Sequence, residues 1–475
     1  MRLRVTVLLT LVGGIFLLSL SGNPSCGATG TGSGDGGGGG GGGTVVGDNI
    51  GSCNEDIGSS GAISGASFNF ITGTAVFDPA SVARPEKCTT ITDANFGTTI
   101  ARITAEGEYS GAGIENEYAR ADPGNSDGTY LILRANSGEW HIYNASTFEM
   151  IFQLTGHIEE GGEELEPRWD AADPNTFYYL DGSMLRSYNV ATRTAGTVHD
   201  FNDEFPSAAF ITTKTEGDAS LDRRYWCFMV ENEDYSILSV IVYDRTSDTV
   251  VGQKSSFIDG INWVSMDMSG SHCVIGYEDS DADGDDVTPP AGVFSLNFGS
   301  SVSLPTGANG HMDLVLASDG RDVMVYQNNS TDFIEMADLE TGAATQLIPI
   351  PFDVNGDIGL HVSGNSSATP GWALISTYGS RNPPSGQSHS WMDNQLFMVE
   401  LKASPRIWRI AHNYSYTSDD YNPDNPVNYF AESFATINTE GTKIFFGSNW
   451  EIFTDLEYSD TYQVLLPEGW EDNIP

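Results

Sequence analysis

A unit of about fifty residues recurs along this chain, and that recurrence limits the possible folds more than any other feature of the sequence. A turn followed by a short apolar strand appears as SDGTYLIL at Asp127, DPNTFYYL at Pro174, LDRRYWCFMV at Asp222 and SGSHCVIGY at Ser269. It returns as SDGRDVMVY at Asp319, TPGWALIS at Pro370 and TEGTKIFFG at Glu440, so successive markers lie 47, 48, 47, 50, 51 and 70 residues apart. A second strand follows each one, from WHIYNAST in the first unit to LFMVELKA in the sixth and YQVLLPEG in the last. No helical apolar pattern lasts two turns, so the chain reads as all-β. A lone four-stranded sheet cannot bury both of its faces, whereas sheets stacked radially cover one another and leave only short edges. The expectation is an all-β, seven-bladed β-propeller over residues 100–468, each unit holding an inner strand, a turn and an outer hairpin. Residues 51–99, with the strand-like ASFNFITGTAVF, are expected to add an outer strand or cap.

Ahead of the repeats, Arg2 and Arg4 precede a largely apolar run, Val5–Leu20, which reads as a secretory signal. Cys26 follows, and then a Gly-rich tether with eight consecutive glycines, Gly36–Gly43. A Cys in that position resembles the lipid-bearing Cys of a bacterial lipoprotein, although Asn23, Pro24 and Ser25 depart from the usual residues before it. Residues 1–26 are thus expected to export the chain and residues 27–50 to be linker. The expected location is the outer membrane or cell surface as a lipoprotein, or the periplasm or medium if secreted. Membrane contact is expected only through the N-terminal anchor, and the protein is expected to be a monomer. With 21 Lys and Arg against 65 Asp and Glu, the formal net charge is −44, which excludes nucleic acid as the main partner. Four further Cys permit two bridges in an exported chain. Cys53 with Cys88 is expected to staple the start of the globular region, while Cys227 and Cys273 read equally as a bridge or as two buried thiols.

In such a ring the loop arriving from one unit ends beside the central channel, where the next inner strand begins. Counting back six to nine residues from each marker gives Arg120, Arg168, Glu216, Asn262, His311, His361 and Glu432, with Tyr118, Trp169, Asp170, Trp263 and Asp313 nearby. Of these, Arg120, Arg168, Glu216, Trp263, His311, His361 and Glu432 are the expected ligand-binding set, since polar groups converging on a shallow funnel make a default binding site. His311, His361, His389 and His412 are expected on this face as well, and neutral imidazoles from neighbouring units suit one Zn²⁺ or Mn²⁺ ion. A separate Asp-rich loop, DSDADGDD, places Asp279, Asp281, Asp283 and Asp285 at the alternate spacing with which a tight loop wraps Ca²⁺, although Pro290 stands where an EF-hand supplies its last ligand.

The phrases EPRWDAADPNTFYYLDGSMLRSYNVATRT and ATINTEGTKIFFGSNW resemble the TolB/PD40-like propeller family, which includes the oligogalacturonate lyases. The resemblance implies the propeller fold and, from the lyases, a metal held by several His and a Gln. Gln387 with His389 echoes that pattern, but the close His pair expected beside the Gln is missing. A lyase acting on a uronate polymer needs a base, a positive charge to neutralise the carboxylate, and an acid for the leaving oxygen. Here His311 or His361 would be base, Arg120 and Arg168 the carboxylate clamp, and Tyr118 the acid; His412 as base and Tyr414 or Tyr416 as acid also fit. Two functions from different classes remain. The first is an exported, surface-tethered propeller that binds a polymeric carbohydrate or a protein ligand at the channel mouth. The alternative is a propeller-type polysaccharide lyase working by β-elimination on uronate-containing glycans.

Overall fold

The structure, a computed structural model, describes residue 53 and residues 68–105, 108, 113–154, 165–256, 260–277, 289–308, 310–417, 429–451 and 459–475. Within them the chain is an all-β propeller built of successive antiparallel meanders. Five are separate four-stranded sheets, with innermost strands Arg168–Trp169, Phe210–Thr212, Ile261–Met266, Met312–Leu316 and Gly359–Ser363. Two more are fused in a nine-stranded sheet: Ile114–Glu115 to Met150–Gln153 at the start, and Thr436–Ile437 to Asp460–Leu465 at the end. They meet at one parallel pairing, Asp460 with Ile114. The last meander takes its outer strand from the other end of the chain, for Thr99–Arg102 lies antiparallel to Asp460–Leu465 with Ile100 opposite Val464. Thr90–Thr92 pairs outside it. The ring is therefore shut by main-chain hydrogen bonds between the two ends of the repeat region.

Alternation along the strands explains the stacking. In Tyr225–Glu231, Trp226, Phe228 and Val230 face the second meander, packing with Tyr178 and Leu180. Cys227 and Met229 point the opposite way, against Val264 and Ile275 of the fourth. Both faces of each sheet are thus apolar, and neighbouring sheets share a core. The same arrangement recurs around the ring, including a core of Ile114, Leu131, Leu133 and Phe445 that joins the last meander to the first.

The marker turns are local chemistry. Asn125 Oδ1 accepts the Tyr130 N–H at 2.9 Å, Asp267 Oδ1 accepts those of Ser271 and His272, and Asn438 Oδ1 accepts those of Thr442 and Lys443. These are side chains that fold the backbone back on itself. Gly441, at φ 67°, needs the left-handed region, and a Cβ there would lie 2.3 Å from Thr369 Oγ1 of the preceding unit. The turns also clasp neighbours: Asn125 Nδ2 donates to Pro174 O at 2.7 Å, and Thr439 N–H donates to Asp122 Oδ2 across the seam.

The N-terminal stretch runs along the outer rim. Ile71 bridges Arg409 on the outermost strand of the sixth meander, and Trp450 Nε1 donates to Val82 O. A disulfide joins Cys53 to Cys88, and a second joins Cys227 to Cys273 across the third and fourth meanders. The segment through Cys26 and the glycine tract lies outside the described residues.

Candidate functional site

Side chains from sheets that are not neighbours can touch only at the ring centre, and several do. Tyr118, from the first meander, places its hydroxyl 3.3 Å from His361 Nδ1 in the sixth, and His361 Nε2 lies 2.8 Å from Glu432 Oε2 at the entry to the last. An ionised carboxylate only accepts, so Nε2 carries the hydrogen and Nδ1 is left to accept from the phenol. The result is a Tyr–His–Glu chain drawn from three sheets. Tyr378 stacks on His361 at 5.1 Å and Phe434 packs on it at 4.7 Å. His311 sits edge-on to His361 with ring centroids 5.3 Å apart. Its backbone is in the left-handed region at φ 41°, and its Nδ1 is buried with no hydrogen-bond partner among the described residues.

Arg120 reaches from the first meander to the third, with Nη1 2.5 Å from the Glu216 carbonyl oxygen and 3.1 Å from Glu216 Oε2. Its guanidinium also lies over the rings of Tyr118 and Trp263. Arg168 is tied more tightly still: Nη1 meets Glu117 Oε2 at 2.7 Å, Nη2 donates to Gly217 O, and Nε is 3.3 Å from Asp218 Oδ1. The ring centre thus brings together the sequence-derived set of Tyr118, Arg120, Arg168, Glu216, Trp263, His311, His361 and Glu432. Glu117, Asp218, Tyr378 and Phe434 join them without a signal of their own in the repeat. Glu117 adjoins Tyr118 and Asp218 adjoins the Glu216 segment, but nothing in the sequence shows which carboxylate answers which guanidinium.

Two predicted members lie elsewhere. His412 ends the outermost strand of the sixth meander, Ile407–His412, and is fully buried at the rim. There Nδ1 faces Asp93 Oδ2 at 3.1 Å and Nε2 faces Phe77 O at 3.1 Å. Its sequence context suggests a connection near the channel, whereas the strand runs through it on the far side of the sheet. Tyr414 shares that rim and donates to Asp93 Oδ2. His389, in the loop between the second and third strands of the sixth meander, pairs with Asp393 at 3.0 Å, while Gln387 Oε1 accepts the Gly356 N–H. Neither imidazole joins His311 and His361. Among the described residues no group of three or more His, Cys, Asp or Glu is arranged to hold a metal ion. Asp279, Asp281, Asp283 and Asp285 lie outside the described residues.

Burial sets the protonation states. It pushes His311 down to about 3, helped by His361, and His361 down to about 3, helped by the Arg120 charge. Glu432 pulls the other way on His311, but desolvation wins and the imidazoles are neutral. Burial also raises the Tyr118 phenol well above its usual range. Tyr118, Arg120, Arg168, His361 and Glu432 are each 9 % exposed or less, so the cluster is nearly closed to solvent. A small cavity opens further along the same inner strands, lined in part by Asp122, Asp218, Ser265, Asp313, Asn365 and Thr439.

Asp313 gives this region a pH signature. Burial pushes its carboxyl up to about 7, against opposing pulls from Arg120 and from the Gly364 and Leu314 N–H groups. The folded protein therefore binds a proton here more tightly than the unfolded chain, whose Asp titrates near ~3.9. Stability is expected to fall as pH rises between those two values, by at most about 1.4 kcal/mol per pH unit, and to level off above them. Asp313→Asn should flatten that fall, read as urea midpoints from acid to neutral pH in both proteins. Equal slopes would show that the carboxyl titrates normally.

No protein-family model matches the chain, and no curated protein matches it either. Solved structures do. An oligogalacturonate lyase in complex with manganese is 18 % identical with a TM-score of 0.54, the match covering 80 % of this chain and 96 % of that one. An oligogalacturonate lyase from Vibrio parahaemolyticus is 13 % identical with a TM-score of 0.53, covering 80 % and 97 %. At such identities the likeness is one of architecture. The chain has the β-propeller fold of these two structures.

Proposed function

We propose that this chain is an exported, surface-tethered β-propeller that binds a polymeric carbohydrate or a protein ligand at its ring centre. The observation that supports this reading most is the convergence of Tyr118, Arg120, Glu216, His311, His361 and Glu432, carried there by sheets far apart in sequence. Buried polar groups in such a place are costly unless satisfied, and this cluster combines paired charges with aromatic faces and an imidazole nitrogen, His311 Nδ1, that has no hydrogen-bond partner among the described residues. Export rests on the Arg2, Arg4 and Val5–Leu20 pattern. The test is titration of the purified protein with a panel of glycans. Saturable binding that His311→Ala weakens about tenfold or more is the expected result. Binding that ignores His311→Ala moves the site elsewhere, and absence of binding across the panel leaves a protein partner as the form of the proposal to be tested by pull-down with the same variant.

A polysaccharide lyase is the second reading, favoured by the Tyr118–His361–Glu432 chain, in which a carboxylate orients an imidazole that contacts a hydroxyl. Against it stand the two arginines, both already paired with carboxylates. Manganese, present in one structural relative, does not fit the residues in place: both His361 nitrogens are engaged, and no described group of three ligands surrounds it. Absorbance from unsaturated uronate ends, lost in His361→Ala, would replace the binding reading by the lyase one.

A further inference from the structure

We infer that Glu216 is a specificity-determining residue, an internal carboxylate that occupies Arg120 and keeps carboxylate-bearing ligands away from it. The inference rests on reading the ring centre as a ligand site. Arg120 itself is 3 % exposed, whereas the Glu216 side chain is 19 % exposed, so the carboxylate is the solvent-facing member of the pair. Glu216 Oε2 at 3.1 Å and the Glu216 carbonyl at 2.5 Å both fall on Arg120 Nη1. The rings of Tyr118 and Trp263 lie against the guanidinium at 5.4 and 5.8 Å. An incoming carboxylate must therefore displace Glu216 to reach Arg120 from the solvent side.

The backbone that presents Glu216 is held in place. Lys214 and Thr215, the two residues before it, both sit in the left-handed region, at φ 61° and 60°. Consecutive non-glycine residues adopt that conformation only when their surroundings impose it. The surroundings here are specific: Lys214 Nζ pairs with Glu231 at 2.9 Å, and the Thr213 N–H donates to Glu166 at 3.0 Å. On the far side, Gly217 N–H donates to Thr213 Oγ1, and Gly217 O accepts from Arg168 Nη2. The segment is clamped at both ends with its one carboxylate aimed at Arg120. The other guanidinium offers no substitute, because Arg168 is committed to Glu117, whose side chain is 5 % exposed. The net charge of −44 adds a repulsion acting at longer range.

The test uses the full chain, with trigalacturonate as the anionic probe and galactotriose as the uncharged one, both followed by calorimetric titration. Glu216→Gln keeps the side-chain shape and removes the charge; Glu216→Ala leaves room for the ligand's own carboxylate. Thermal unfolding first shows which variant is folded. Either folded variant is expected to bind trigalacturonate at least about tenfold more tightly than the natural protein, because the ligand's carboxylate then forms a charge-assisted pair with the Arg120 guanidinium. The tighter binding should vanish in the Arg120→Gln/Glu216→Gln double variant and be absent for galactotriose. The inference is overturned if neither variant binds more tightly, if the natural protein already binds trigalacturonate as well as they do, or if the improvement survives loss of Arg120. These outcomes do not depend on the natural ligand. The glycan panel can fail while Glu216→Gln still improves binding, and the reverse result is equally distinct.

Discussion

Arg168→Met is expected to destabilise the protein by about 3–5 kcal/mol, because it breaks a buried ion pair by removing one of its members. Glu117 is the carboxylate that loses this pairing: its Oε2 lies 2.7 Å from Arg168 Nη1, with side-chain exposures of 5 % and 3 %. The same substitution removes the donor to Gly217 O and loosens Asp218 from its 3.3 Å contact with Nε, so the third meander loses one of its ties to the first two, while Arg120 with Glu216 and Thr213 with Glu166 remain. Nearby Glu117, Asp218 and Glu166 together raise the guanidinium's pKa, against burial, so the charge persists at any working pH. Pairing Arg168→Met with Glu117→Gln should recover part of the loss, since the buried negative charge is then gone. Urea unfolding of the two proteins decides it. A single-variant loss below about 1 kcal/mol would mean that water reaches Glu117 and solvates it.

The second large effect concerns the seam. Cys53 N–H donates to Thr147 O at 2.7 Å, at the last turn of the first meander, while Cys88 N–H donates to Arg102 O at 3.0 Å, on the strand that completes the last one. The disulfide between them therefore fastens the two sheets at the point where the ring closes, over a sequence separation of 35. Replacing both Cys by Ser is expected to cost about 3–4 kcal/mol, the loop-entropy value for a closure of that length. Amide exchange should rise first in Thr99–Arg102. Uniform exchange, or a loss within the error of the measurement, would show that the strand pairing alone holds the seam. Cys227 and Cys273 already lie in the shared core of two consecutive sheets, so their bond should matter less to closure.

The repeat was legible because its signals are local. An Asx side chain, a Gly and a run of alternating apolar residues specify a turn and a strand wherever they occur, as at Asp267–Gly270 before His272–Tyr277. Inner-strand entry points were legible for the same reason, and counting back from the markers brings Arg120, His311 and His361 to one place. What stayed hidden was which partner each charge meets. Arg168 finds Glu117 and Asp218, residues from the units on either side of its own, and no spacing rule carries that information. His412 misleads because an edge strand and a connecting loop can have the same composition. Only the pairing of Gln395 with His412 places it on the outer strand. The described residues contain no helix long and apolar enough to cross a membrane, and the N-terminal run that suggested export lies outside them.

A ring whose last sheet borrows the strand Thr99–Arg102 cannot lock until Asp460–Leu465 has been synthesised and brought alongside it. For most of the chain's birth the early strand, paired only with Thr90–Thr92, must wait for its second mate with one ribbon edge open. Contacts spanning that much sequence make assembly slow. A chain moved across a membrane in extended form would meet its closing partner only on arrival, so passage and locking would follow one another in the order that transport requires.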